Sequence, residues 1–218
     1  MSKTQLKSPT VLLDVDNVIY DNEASDRYVR ELLDTNYGPG ANKDFDSVYQ
    51  EVKKELGLVD WKEIAIRFAA KRSSDDYASV LAIFLEIPFK DYFRPNAIDL
   101  LDFLKVNSKL IILSDGDNLY QKTKIEKLEL HNWSEEIIIT KSKIGLFGQL
   151  DEKYGSELIL IDDKPEVIAE AKRVLKGKII WVKYGHHAEK VETTEADLET
   201  EDLNEVQRYL ETTGHLLA

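Results

Sequence analysis

The sequence predicts an α/β fold, a doubly wound parallel sheet with a helical domain inserted after the first strand. Three observations lead there. Five short apolar runs, at residues 11–13, 110–113, 137–139, 158–161 and 179–182, are continuous rather than alternating, the pattern of strands covered on both faces. Helix-like stretches separate the runs, as strand-helix-strand units require. The acidic and hydroxyl-bearing residues fall where the runs end, at the edge where open parallel sheets bind ligands.

The first run closes on Asp14-Val15-Asp16, and 95 residues intervene between Asp14 and Leu110, where the second begins. One crossover helix needs far fewer, so most of that segment must form a unit of its own. Amphipathic patterns at 28–33, 48–56, 64–68 and 80–85, punctuated by Gly38-Pro39-Gly40 and Gly57, predict that the unit is helical. The expected division is a core of residues 1–18 and 94–218 with a helical domain at 19–93. Later spacings are shorter. Helices are expected over 95–105, 119–130 and 165–175, with Pro165 suited to a first turn, where no backbone donor is needed. The gap from Thr140 to Leu158 is about one helix long, and Gly145 and Gly148 within it read as local backbone adjustment, since they lack the spacing of a phosphate loop. In the tail, residues 192–202 read as a solvated loop, and Val206, Tyr209 and Leu210 offer one face of a last docked helix.

Composition narrows the function. A chain of 218 residues, 43% hydrophobic, is long enough for one α/β domain with an insertion. Lys+Arg 29 against Asp+Glu 41 gives a net charge of -12, which argues against duplex nucleic acid or an anionic membrane as a partner. With no cysteine, a disulfide framework, a thiolate nucleophile and a cysteine-based zinc site are all excluded. The opening residues 1–10 are polar, and no apolar run approaches the length of a membrane span. A soluble, cytoplasmic protein is expected.

The strand ends carry the chemistry. They read Asp14-Val15-Asp16, Ser114-Asp115-Gly116, Thr140-Lys141 and Asp162-Asp163-Lys164, and a parallel sheet brings all four to one edge. Each alone has an ordinary structural explanation: a turn, a strand-end hydroxyl, a surface charge, a helix cap. Together they crowd carboxylates that repel unless a hard cation such as Mg²⁺ takes several of their oxygens. A nearby lysine would then neutralise a second anion, and phosphate is the simplest such ligand.

These motifs resemble those of the haloacid dehalogenase superfamily of phosphohydrolases, from Val11 to about Tyr184. Asp14-Val15-Asp16 is similar to its first motif, Ser114 to its second, Lys141 to the third-motif lysine with Lys143 as competitor, and Asp162-Asp163 to the acidic fourth motif. The insertion sits where the superfamily places a helical cap, and Arg94-Pro95 resembles the return into the core. The resemblance implies that Asp14 is a nucleophile forming an aspartyl-phosphate, and that Asp16 is the acid and base. It implies that Ser114, Asp115 and Lys141 line the phosphoryl site, and that Asp14, Asp16 (through its carbonyl), Asp162 and Asp163 form a Mg²⁺ site. Which of Asp162 and Asp163 binds directly stays open. Asn17-Val18 after the first motif, Asp115 after Ser114 and Lys164 after the acidic pair depart from the frequent pattern.

The expected activity is hydrolysis of a small phosphorylated metabolite. A phosphomutase or phosphotransferase would keep the same residues, and a non-catalytic binding protein would be expected to have lost one. Dehalogenation needs no acid two residues past the nucleophile, and a signalling receiver domain orders its acidic pair and lysine the other way round. Substrate choice should lie in the inserted domain, whose aromatic and basic candidates include Tyr28, Arg30, Trp61, Arg67, Arg72 and Tyr77. His186-His187 read as a surface loop, and His215 lies in the tail.

Overall fold

The computed structural model describes residues 9–189, 191 and 193–213, so His215 lies outside the described residues. Its sheet has six parallel strands in the order β3-β2-β1-β4-β5-β6. These are β1 (Thr10–Leu13), β2 (Lys109–Asp115), β3 (Glu136–Thr140), β4 (Leu158–Asp162), β5 (Lys178–Val182) and β6 (Leu198–Thr200). The first three strands step one way across the sheet and the last three step the other. The order therefore reverses between β1 and β4, and a crevice opens at their carboxyl ends.

Alternate residues along each strand enter two separate cores, as a period of two dictates. Leu13, Ile112, Ile161 and Val182 face one side, covered by α5 (Ala97–Asn107), α6 (Asn118–Lys127) and α9 (Leu203–Thr212). Leu12, Leu113, Leu160 and Trp181 face the other, covered by α7 (Phe147–Tyr154) and α8 (Pro165–Val174). Two of these features depart from the sequence reading. Within 192–202, expected to be a solvated loop, β6 extends the sheet beside β5, and Gly148 lies inside α7. The last helix docks as expected, through Leu203, Val206 and Leu210.

Between β1 and α5 come four described α-helices: α1 (Asn22–Tyr37), α2 (Ala41–Leu56), α3 (Trp61–Lys71) and α4 (Tyr77–Leu85). Local chemistry sets their ends. Asp21, Asp60 and Asp76 each accept a backbone N–H of the first turn, satisfying donors the helix cannot. Gly57 stops α2 at φ 69°, a conformation that glycine adopts without strain. The chain leaves and re-enters the core side by side, where Tyr20 bridges to both Asp16 and Phe93. The buried Arg94 guanidinium ties this neck to the tail, donating to the carbonyls of Asn17 at 2.7 Å, Val18 at 3.0 Å and Glu201 at 2.7 Å. No described helix is long and apolar enough to cross a membrane.

Candidate active site

Asp14 follows the last residue of β1, and its backbone N–H still donates to the Ile161 carbonyl of β4 at 3.0 Å. That bond fixes Asp14 at the mouth of the crevice. Its Oδ1 accepts the Val15 N–H at 2.8 Å, and its Oδ2 lies 2.7 Å from the Lys143 ammonium, an ion-pair contact without hydrogen-bond geometry. Burial pushes the Asp14 carboxyl up to about 7, with Lys143 opposing and Asp162 adding to the shift.

The lysine in the cluster is Lys143, not Lys141. Lys141 is exposed, because the chain bends away from the sheet immediately after β3. Three residues later a single 3-10 turn, Ile144–Leu146, begins, and the side chain of Lys143 just before it runs back to the strand ends. It is wholly buried and reaches Asp162 at 2.6 Å and Asp115 at 3.8 Å as well as Asp14. Burial would pull its ammonium down, but Asp14, Asp162 and Asp115 outweigh that and hold it well above the ordinary range.

The acidic pair divides its work. Asp162 has both oxygens taken, one by Lys143 and one by the Lys164 backbone N–H at 3.0 Å. Asp163 accepts the Asn17 amide at 3.1 Å through Oδ2, while its buried Oδ1 has no partner. Burial and the neighbouring Asp14 and Asp162 carboxylates raise its carboxyl well above the ordinary value. Oxygens of Asp14, Asp162 and Asp163 all lie within 4.8 Å of one another. Hard carboxylate donors at this spacing, with one oxygen left over, fit a small divalent cation. The charges agree. Five carboxylates (Asp14, Asp16, Asp115, Asp162, Asp163) face three ammoniums (Lys124, Lys143, Lys164).

Ser114, the penultimate residue of β2, is wholly buried with an unpartnered hydroxyl, available to an anion. Asp115 pairs with Lys164 at 2.6 Å. Burial would raise the Asp115 carboxyl, but Lys143 and Lys164 hold it below the ordinary range. Asp16 points to α6, where Lys124 forms an ion pair with one oxygen and Gln121 donates to the other at 2.9 Å. Burial raises its carboxyl, and Lys124 and Gln121 outweigh that and lower it.

Three participants escaped the sequence reading. Lys124 and Gln121 follow no motif. Asn17 was visible only as a departure from the frequent pattern, and its φ of 57° is one that asparagine tolerates better than most residues. Of the candidates in the insertion, Arg30 and Trp61 line a cavity of about 400 Å³ whose wall includes Tyr49 and, from the core, Tyr120. Arg67 pairs with Glu55 and Glu63, and Arg72 with Asp44. Tyr77 is exposed, and Tyr28 packs 6.0 Å from Tyr92. His186 also lines the cavity, 3.3 Å from Glu23.

No protein-family model and no curated protein matches the chain in sequence. Solved structures do match in fold. A protein from Burkholderia xenovorans assigned as a haloacid dehalogenase-like hydrolase superposes with a TM-score of 0.79 at 22% identity, covering 92% of this chain and 98% of that one. YfnB from Bacillus subtilis, assigned as a HAD-hydrolase and solved bound to magnesium, gives 0.64 at 17% identity, covering 94% and 99%. The L-2-haloacid dehalogenase of Xanthobacter autotrophicus, with chloropropionic acid covalently bound, gives 0.64 at 13% identity, covering 94% and 99%. With six parallel strands around the β1/β4 crevice and the helical insertion after β1, the chain has the haloacid dehalogenase-like fold.

Proposed function

We propose that the protein is a Mg²⁺-dependent phosphatase that hydrolyses a small phosphate monoester through phosphorylated Asp14. The observation that carries this reading is Asp16, a second carboxylate two residues beyond Asp14, held by its own partners on α6. Displacement of halide from carbon needs no such group, whereas an ester oxygen leaves with a proton and the intermediate must be cleaved by activated water.

The residues divide as follows. An Asp14 oxygen attacks phosphorus and the ester P–O bond breaks, with protonated Asp16 donating its proton to the leaving oxygen. Water then attacks phosphorus, loses a proton to Asp16, and the Asp14–phosphorus bond breaks to release inorganic phosphate. Lys143 pairs with Asp14 and the incoming phosphoryl group, offsetting the repulsion between two anions, and the free Ser114 hydroxyl donates to a phosphoryl oxygen. Asp14 and the open oxygen of Asp163 would hold Mg²⁺, with Asp162 beside them anchoring Lys143. The bound cation supplies charge neutralisation for the phosphoryl group and the carboxylates around it.

The test is phosphate release from a panel of monoesters, with Mg²⁺ and with chelator, beside halide release from 2-chloropropionate. Turnover of an ester that needs Mg²⁺ and vanishes in Asp14→Asn is expected. Halide release without ester turnover would replace the reading with dehalogenation.

A further inference from the structure

Among the described residues, Lys124 is the one fully buried lysine that the proposed chemistry leaves without a task. Its side chain is wholly inaccessible, yet it ends on a single carboxylate, Asp16. Two aromatic rings complete its surroundings, Tyr120 at 4.9 Å and Tyr20 at 5.2 Å from the ammonium. Space between two rings is filled more cheaply by an apolar side chain. A buried ion pair is weak support for stability, because desolvation cancels most of the attraction. Stranding either partner is costly, however, so Asp16 and Lys124 hold each other in place.

The placement is directional. Gln121 and Lys124 are three apart on α6 and therefore share a face. They grip different oxygens of one carboxylate. Gln121 also reaches the Asp115 carbonyl at 3.3 Å, so the loop that carries the phosphoryl-site residues and the Asp16 side chain are fixed by one helix. Gly116 permits this approach, since a Cβ there would meet the Gln121 amide at 3.2 Å. Asp16 is left with about a fifth of its side chain accessible, whereas Lys124 has none.

From this arrangement, and resting on the phosphatase reading above, we propose that Lys124 is a positioning residue that holds the Asp16 carboxylate for the water-activating half of the reaction. Lys124 itself cannot touch substrate. It keeps one Asp16 oxygen engaged so that the carboxylate does not turn toward the Lys164 ammonium. Attack of Asp14 on an ester with a good leaving group does not need Asp16, and cleavage of the phosphorylated Asp14 does.

Lys124→Met and p-nitrophenyl phosphate, with saturating Mg²⁺, test this directly. The leaving nitrophenolate needs no proton, so the first step should proceed at the parent rate. The second step should slow by about tenfold or more, within the range that acid–base groups contribute. The expected result is a burst of about one nitrophenolate per protein followed by slow turnover, with kcat and KM falling together and kcat/KM within about twofold of the parent. Lys124→Gln, which keeps a donor, should give a smaller burst and carries the test if the methionine variant does not fold. A fall in kcat/KM without a burst, or an unchanged kcat, overturns the proposal and leaves the phosphatase reading standing. A parent protein that releases no nitrophenolate overturns the phosphatase reading, and this assignment with it.

Discussion

Two lysines separated by one residue make the sharpest contrast in the molecule. Lys141 lies in solvent, and Lys143 is buried against three carboxylates. Lys143→Met is therefore expected to cut kcat by about a hundredfold or more, as loss of a group offsetting transition-state charge does, while Lys141→Ala leaves steady-state kinetics unchanged. Comparable losses in the two variants would break the assignment. The sequence could name both lysines but could not choose, because the choice depends on where the chain bends after β3. The carboxylates make a different prediction. The Asp14 carboxyl stands at about 7 against an ordinary 3.8, and Asp163 is raised as well, so the metal-free fold favours their protonated forms. That contribution is complete below the ordinary value and is lost as pH rises through the folded value. Without metal, the melting temperature should fall between about pH 5 and about pH 8. Mg²⁺ should raise it more at the higher pH, where the carboxylates are free to bind. Thermal melts at both pH values, with Mg²⁺ and with chelator, measure this; a metal-free melting temperature that climbs over that range would contradict it.

At the scale of elements, the strands with continuous apolar runs were readable, because burial on both faces leaves an unmistakable pattern. Strand β6 was not. Its residues Leu198-Glu199-Thr200 are mostly polar, and it pairs only at the sheet edge, where one neighbour suffices. What holds it is tertiary: the Asp197 N–H donates to the Ile179 carbonyl at 2.7 Å, and the Asp197 carboxylate pairs with Lys172 and Lys178. The gap that holds α7 has the length of one helix in the sequence, but its bounds are blurred by Gly148, a poor helix former in an exposed position. The turn between α8 and β5 depends on a different glycine. A Cβ on Gly177 would sit 1.9 Å from the Leu158 carbonyl oxygen, a backbone atom that cannot move without disturbing β4. Gly177→Ala should therefore destabilise the fold by about 1–3 kcal/mol, the usual cost of overpacking, where Gly148→Ala, in open space, should stabilise slightly. Chemical denaturation of the two variants tests the pair, and equal midpoints would refute the packing argument.

For the molecule as a whole, the question is how the helical insertion communicates with the proposed catalytic edge. Trp61, the first residue of α3, stacks on Tyr120 of α6 with ring centroids 4.7 Å apart and planes at 29°. Tyr120 in turn lies against the Lys124 ammonium that holds Asp16. Within the insertion, Trp61 also packs against Phe84, with ring centroids 5.0 Å apart, so one indole spans the two parts of the chain beside the cavity. Stacking of this kind contributes about 0.5–1.5 kcal/mol beyond area burial, enough to bias how the insertion rests on the core without locking it. Trp61→Ala should lower the melting temperature by a few degrees, consistent with that energy, and should raise KM for the preferred ester severalfold. Inhibition by inorganic phosphate should stay unchanged, because the proposed phosphoryl ligands, Ser114 and Lys143, both come from the core. A rise in KM matched by equally weakened phosphate inhibition would mean that Trp61 shapes the phosphoryl site itself. Unchanged KM would place substrate selection outside this cavity. The two measurements together separate recognition of an organic part, proposed for the insertion, from recognition of phosphate, proposed for the strand ends.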